Sequence, residues 1–88
     1  MFRFLRIKMP LKILALGGDG IGPEVVSSGL QVLEAVAGTI SLKVDITEDL
    51  LHGAAWDAYG TFIRPETIRA AHDSDALLVG AVGGSKWD

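Results

Sequence analysis

The feature that most restricts the fold is a glycine-rich turn set between an apolar run and a helix signal. Ile13-Leu14-Ala15-Leu16 is continuously apolar, and Gly17-Gly18-Asp19-Gly20-Ile21-Gly22-Pro23-Glu24 follows it directly. An unbroken apolar run of this kind suits a strand covered on both faces, as in a parallel sheet. The glycines and Asp19 predict a tight turn. Pro23 sits where a helix begins, because a missing N–H costs nothing at the first helical position. Glu24 beside it suits the positive end of the helix dipole.

The rest of the chain continues the alternation of strand and helix. From Pro23 to Ala37, the residues Val25, Val26, Leu30, Leu33, Val36 and Ala37 recur at spacings of three and four, giving one apolar helical face, with Gly38 as the stop. Leu42 to Thr47 alternates strictly, which predicts a strand with one buried face near a sheet edge. Glu48 to Ile63, punctuated by Gly53 and Gly60, reads as a loop with one short turn of helix. Arg64-Pro65-Glu66-Thr67 opens a second helix running to about His72, and Asp75 to Val82 reads as a third, central strand. Gly83 to Asp88 then forms a loop at its carboxyl end. With right-handed crossovers, this order predicts an α/β fold: an open, mainly parallel sheet with flanking helices. No internal repeat or low-complexity segment interrupts it.

Composition bounds the function. At 88 residues the chain makes one domain at most, and such a chain buries only about 60–65% of the surface its unfolded form exposes. Yet 49% of the residues are hydrophobic and the mean hydropathy is +0.36, so part of the surface is expected to be covered by further polypeptide. The net charge of −3 argues against nucleic acid and anionic membranes as partners. The absence of cysteine removes disulfides and thiolate metal sites, and fits a reducing compartment. No run reaches the roughly 18 apolar residues of a membrane span. Met1 to Pro10 mixes Arg3, Arg6 and Lys8 with Phe2, Phe4, Leu5 and Ile7, so charges break the apolar run that a secretory signal needs. Residues 1–10 are thus read as an upstream extension before Met9 or as a short strand over 2–7, with a transit peptide as the alternative. Residues 11–88 form the α/β unit.

Neither nucleotide motif fits the first turn. The dinucleotide fingerprint G-x-G-x-x-G would need its third glycine where Pro23 stands; Gly22 comes one place early, and Asp19 brings negative charge to the pyrophosphate position. Nothing supplies the G-K-[ST] of a P-loop. Backbone geometry and close approach of helix to strand account for these glycines without a ligand. The carboxyl end of the third strand is the better location, because open α/β sheets bind ligands beyond the carboxyl ends of their strands. There Gly83 and Gly84 would let backbone N–H groups approach a ligand, Lys86 could meet a phosphate or carboxylate, and Trp87 offers a stacking surface. An ordinary glycine turn, with Trp87 packed on other protein, fits equally. His52 stands alone and His72 sits near a helix end; both are read as structural or surface residues. Asp73 and Asp75 lie too near a strand entrance for a catalytic pair, and Asp75 is expected to fix the turn before the strand.

Three stretches carry a family resemblance: Lys12 to Leu16 with Gly18 to Val25; Gly53-Ala54-Ala55 with Asp57 and Gly60; and Asp75 to Gly84 with Lys86-Trp87-Asp88. Together they resemble the amino-terminal portion of the β-decarboxylating dehydrogenases, the isocitrate/isopropylmalate dehydrogenase family. The Gly-Gly-x-Lys-Trp-Asp ending is similar to the isopropylmalate branch. Gly17 and Ser85 stand where that branch usually has proline, and Trp56 and Phe62 are atypical of it.

The resemblance implies a non-Rossmann dehydrogenase domain and oxidative decarboxylation of a 2-hydroxy dicarboxylic acid, 3-isopropylmalate in that branch of leucine biosynthesis. NAD would accept the hydride, and Mg²⁺ or Mn²⁺ would stabilise the enolate formed on loss of CO₂. It further implies a cytoplasmic homodimer as the full-length enzyme. By the same resemblance Gly84, Ser85, Lys86, Trp87 and Asp88 contact the cofactor, with Ile21 at its margin. The catalytic residues and metal ligands of the family fall beyond Asp88, so none is assigned here and the 88 residues are expected to be inactive alone. Three alternatives remain: a binding or regulatory module that pairs with dehydrogenase subunits, a small nucleotide-binding domain using the Gly83–Asp88 loop, and a relative acting on tartrate- or isocitrate-type 2-hydroxy acids.

Overall fold

The computed structural model describes residues 9–87. Residues 1–8 and Asp88 lie outside the described residues, and with them the expected strand over 2–7. The elements are β1 (Leu11–Gly18), α1 (Gly22–Thr39), β2 (Val44–Asp49), α2 (Gly53–Tyr59), α3 (Pro65–Asp73) and β3 (Ala76–Ala81), followed by one 3-10 turn at Ser85–Trp87. The strands form one parallel sheet in the order β2-β1-β3. The class is α/β, as the sequence predicts.

β1 is the centre of the sheet because its apolar run must be covered on both faces. Ile13, Leu14, Ala15 and Leu16 are all buried. Alternation along the strand sends Ala15 towards α1, where it packs with Val26 and Leu30 and, at the margin, Leu33, Ile46 and Leu78. Leu14 and Leu16 take the opposite face, on which the buried Ala55 of α2 and Thr67 of α3 close the core. Asp75 locks the entrance of β3 to β1: its N–H donates to the Lys12 carbonyl at 2.8 Å, and its Oδ2 accepts the Lys12 N–H at 2.8 Å. Asp75 thus fixes the turn before the strand, as expected.

Four boundaries differ from the sequence reading. β3 was expected to be central, but among the described residues it pairs with β1 alone, and Leu77 and Val79 are half exposed. An apolar run reports what a strand's faces need, not its rank; rank follows from the crossovers, which place β2 on one side of β1 and β3 on the other. The expected single turn between β2 and α3 is a seven-residue helix, α2. Its alanines favour helix, and Gly60 closes it in the left-handed conformation, φ 75°, donating to the Trp56 carbonyl. Gly38 lies inside α1 rather than beyond its end. β2 starts two residues late because the Leu42 N–H is taken by the Ala37 carbonyl at 2.9 Å, in the turn that ends α1. No helix among the described residues is long and apolar enough to cross a membrane.

Candidate functional site at the carboxyl edge of the sheet

Parallel strands deliver their carboxyl ends to one edge, and three segments meet there: the turn after β1, the start of α2 and the loop after β3. The turn is held so close to β3 that side chains are excluded. A Cβ on Gly18 would lie 2.0 Å from the Ala81 carbonyl oxygen, and one on Gly22 would lie 2.0 Å from that of Gly17. The Asp19 N–H donates to the Ala81 carbonyl at 2.8 Å, extending the β1–β3 pairing into the turn. Gly17, Gly18 and Gly22 therefore serve close backbone packing, whereas Gly20, at φ 54°, has open space where a Cβ would stand.

Asp19 turns its carboxylate inward and gathers all three segments. Oδ2 accepts from His52 Nδ1 at 2.6 Å and from the Gly83 N–H at 3.0 Å, while Oδ1 accepts from the Ala54 N–H at 2.9 Å. Its side chain is 8% exposed. The Gly83 N–H does most to hold the Asp19 carboxyl far below the usual aspartate range; burial opposes this, and His52 and the Ala54 and Gly53 N–H groups add to the lowering. The charge that argued against a pyrophosphate is thus spent on the protein's own donors.

His52 was read as standing alone, yet it is the partner of an aspartate 33 residues away. Its backbone, at φ 61° and ψ −123°, lies in a region that favours glycine, a conformation that costs of the order of 1–3 kcal/mol for a residue with a side chain. The ring stacks on Phe62 at 4.8 Å and packs edge-to-face with Trp87 at 5.5 Å. Phe62 also stacks on Trp56 at 4.9 Å and meets Trp87 edge-on at 5.4 Å. Trp56 and Phe62, singled out by the sequence as departures from the family pattern, therefore belong to one aromatic cluster. No sequence signal pairs Asp19 with His52, because neither helical nor strand periodicity links residues so far apart.

The residues expected at a cofactor are brought to this edge in different states. Ile21 is 64% exposed at the start of α1. Gly84, at φ 139°, has open space where a Cβ would stand, and its carbonyl accepts the Trp87 N–H at 2.9 Å to close the turn containing Ser85 and Lys86. Lys86 Nζ pairs with Asp57 Oδ1 at 2.8 Å, with both side chains more than half exposed, an arrangement worth little and easily exchanged for another anion. One expectation changes. The Gly83 N–H is not available to a ligand, since Asp19 takes it. Trp87 packs within this chain, so tightly that a Cβ on Gly53 would lie 2.3 Å from its ring nitrogen. Asp88 lies outside the described residues.

The sequence reading also missed a second polar cluster, at the end of β2. Arg64 Nη2 donates to both oxygens of Asp49, at 3.0 and 3.2 Å, and Thr67 Oγ1 donates to Oδ2 at 2.7 Å. The Arg64 guanidinium lies 4.0 Å from the Tyr59 ring centre. Burial works against charge on Asp49, but Thr67, the Leu50 N–H and Arg64 outweigh it and hold the carboxyl below its ordinary range. A cavity of about 220 Å³ lies beside this cluster, between Gly17, Gly18 and Pro23 on one side and Asp49, Leu50 and Ala54 on the other. Among the described residues, none of those expected at a cofactor lines it. Among the described residues, no group of three His, Cys, Asp or Glu could hold a metal ion.

Comparison with known proteins supplies what geometry alone does not. A family model described as isocitrate/isopropylmalate dehydrogenase matches residues 12–88. The 3-isopropylmalate dehydrogenase of Moorella thermoacetica is 52% identical over 77 residues, which is 88% of this chain and 22% of that protein. That of Listeria innocua is 48% identical over 80 residues, covering 91% of this chain and 23% of the relative. The chain thus spans little more than a fifth of the length of these relatives. Among solved structures, a β-decarboxylating dehydrogenase from Thermococcus kodakarensis superposes with a TM-score of 0.70 at 33% identity, over 83% of this chain and 21% of that one.

Proposed function

The chain belongs to the isocitrate/isopropylmalate dehydrogenase family, and from that premise we propose that it forms the amino-terminal α/β portion of an NAD-dependent oxidative decarboxylase of 3-isopropylmalate, acting in leucine biosynthesis. The observation that carries the reading is the 52% identity to a 3-isopropylmalate dehydrogenase across most of this chain. The β-decarboxylating reaction uses NAD⁺ as hydride acceptor and a divalent cation as Lewis acid. This chain's part is to bind and orient the dinucleotide. Open space over Gly84 lets a ligand approach the backbone, Ile21 offers an exposed apolar contact, and Lys86 can trade its exposed Asp57 partner for a phosphate. Ser85 lies between Gly84 and Lys86 in the turn, and Trp87 and Asp88 complete the proposed contact set. The metal is assigned to other parts of the enzyme, where the family resemblance puts its ligands. A cytoplasmic homodimer is the proposed assembly.

Calorimetric titration of the chain with NAD⁺ tests the cofactor role. Binding that is lost on Gly84→Val, which fills the open space with a branched side chain, supports it. Absence of heat at millimolar NAD⁺ counts against it.

A further inference from the structure

We propose that His52 is a positioning residue for the loop that follows β3: it sets where Trp87 lies, and so shapes the surface the loop offers to a dinucleotide. The link to a dinucleotide rests on the cofactor reading above, whereas the link to Trp87 rests on geometry alone.

The backbone at position 52 asks for glycine. At φ 61° and ψ −123°, a residue with a Cβ is strained, and the neighbouring position is indeed Gly53, where the Trp87 ring fills the Cβ space. A chain that needed only to start α2 would be better served by glycine at 52 as well. The imidazole is nevertheless present, and its interactions all bear on the loop. Nδ1 bonds to Asp19 Oδ2, the same oxygen that takes the Gly83 N–H where the loop begins. The ring packs roughly perpendicular to Trp87 where the described loop ends, and Phe62 stacks on the imidazole and meets Trp87 as well. Between these points Gly83 and Gly84 adopt φ 110° and 139° with no heavy atom within 4 Å of where their Cβ atoms would stand, and the turn is held by the Trp87 N–H donating to the Gly84 carbonyl and by the exposed Lys86–Asp57 pair. One side chain therefore bears on both ends of a glycine-hinged loop, on one through Asp19 and on the other directly.

The role separates from a merely structural one by spectroscopy. The chain has two tryptophans, so a Trp56→Phe background reports on Trp87 alone while keeping a ring against Phe62. In that background His52→Gly removes both the strain and the ring. The expected result is a red shift of Trp87 emission and greater quenching by acrylamide at temperatures well below the thermal midpoint, where the protein is folded. His52→Asn keeps a donor for Asp19 and tolerates positive φ but has no ring, so it is expected to hold the midpoint and still release Trp87. Unchanged emission and quenching in a folded His52→Gly protein would overturn the proposal. So would exposure of Trp87 that merely follows a fall in midpoint in both variants. Should His52→Gly not fold, the folded Asn variant decides in the same way. NAD⁺ titration then separates the two readings. Weaker binding by His52→Gly than by its parent supports both; a parent that does not bind NAD⁺ removes the cofactor reading and leaves the Trp87 result to stand or fall by itself.

Discussion

Thr67 donates its hydroxyl to Asp49 Oδ2 across 2.7 Å, tying the first turn of α3 to the last residue of β2. Thr67 is fully buried, and Arg64, just before α3, grips the same carboxylate with two further bonds. The pairing explains how a helix without a side-chain cap at its own start is held to the sheet.

Thr67→Val keeps the shape of the side chain and removes the donor. Asp49 then loses one of its three kinds of partner while its side chain stays mostly buried. The expected cost is about 1–3 kcal/mol, read as a lower urea midpoint with an unchanged denaturant slope. A midpoint equal to that of the parent would show that the bond contributes nothing net.

Asp19 and Asp49 both have carboxyl groups held below the ordinary aspartate range. Their folded pKa values therefore lie below those in the unfolded chain, and between the two values the unfolded chain binds more protons. The resulting stabilisation is complete above about pH 4 and is lost as the pH falls below that towards the depressed values. Urea midpoints measured from pH 6 downward, as a series of about one-unit steps, should fall most steeply below pH 4. Asp49→Asn should be less stable at neutral pH and show a shallower acid limb. An unchanged limb would remove Asp49 as a cause.

Gly22→Ala and Gly38→Ala make opposite predictions within one helix. A Cβ on Gly22 meets the Gly17 carbonyl oxygen at 2.0 Å and the Ala81 N at 2.8 Å, whereas one on Gly38 meets nothing within 4 Å. The first is expected to destabilise by about 1–3 kcal/mol or more through forced backbone shifts. The second should be neutral or stabilising by up to about 1 kcal/mol, because alanine favours helix over glycine. Thermal melts of the two variants check both signs.

β3 presents Leu77 and Val79 half exposed on a strand that carries no charge, whereas β2 carries Asp45, Glu48 and Asp49. Uncharged apolar strand edges promote association between chains. Light scattering of the chain should show concentration-dependent self-association, reduced by Val79→Lys and not by Thr47→Lys on β2. Equal effects of the two substitutions would assign the association to another surface.

The purified 88 residues are expected to show no NAD⁺-dependent oxidation of 3-isopropylmalate with Mg²⁺ or Mn²⁺, since the family resemblance assigns none of the catalytic residues to them. Turnover by the chain alone, followed as NADH absorbance, would overturn this.

The order of elements was legible in the sequence because each signal is local. Ile13 to Leu16 needed cover on both faces, Pro23 could open a helix, Leu42 to Thr47 alternated, and Asp75 marked a strand entrance; each follows from periodicity or from a backbone preference spanning a few residues. The family was legible for the same reason, since its motifs are short runs around turns. What tertiary structure alone decided is longer in range. Alternation along β2 and apolarity along β3 do not say which strand lies in the middle; the path of the crossovers does. Nothing in the sequence joins Asp19 to His52, Arg64 to Asp49 or Trp87 to Gly53, because contacts between elements leave no period and depend on how helices and loops meet at one edge of the sheet. The Gly18–Pro23 turn thus identified the kind of chain from sequence alone. Only the folded edge showed that its aspartate binds the protein itself, holding a histidine and the loop after β3 in place.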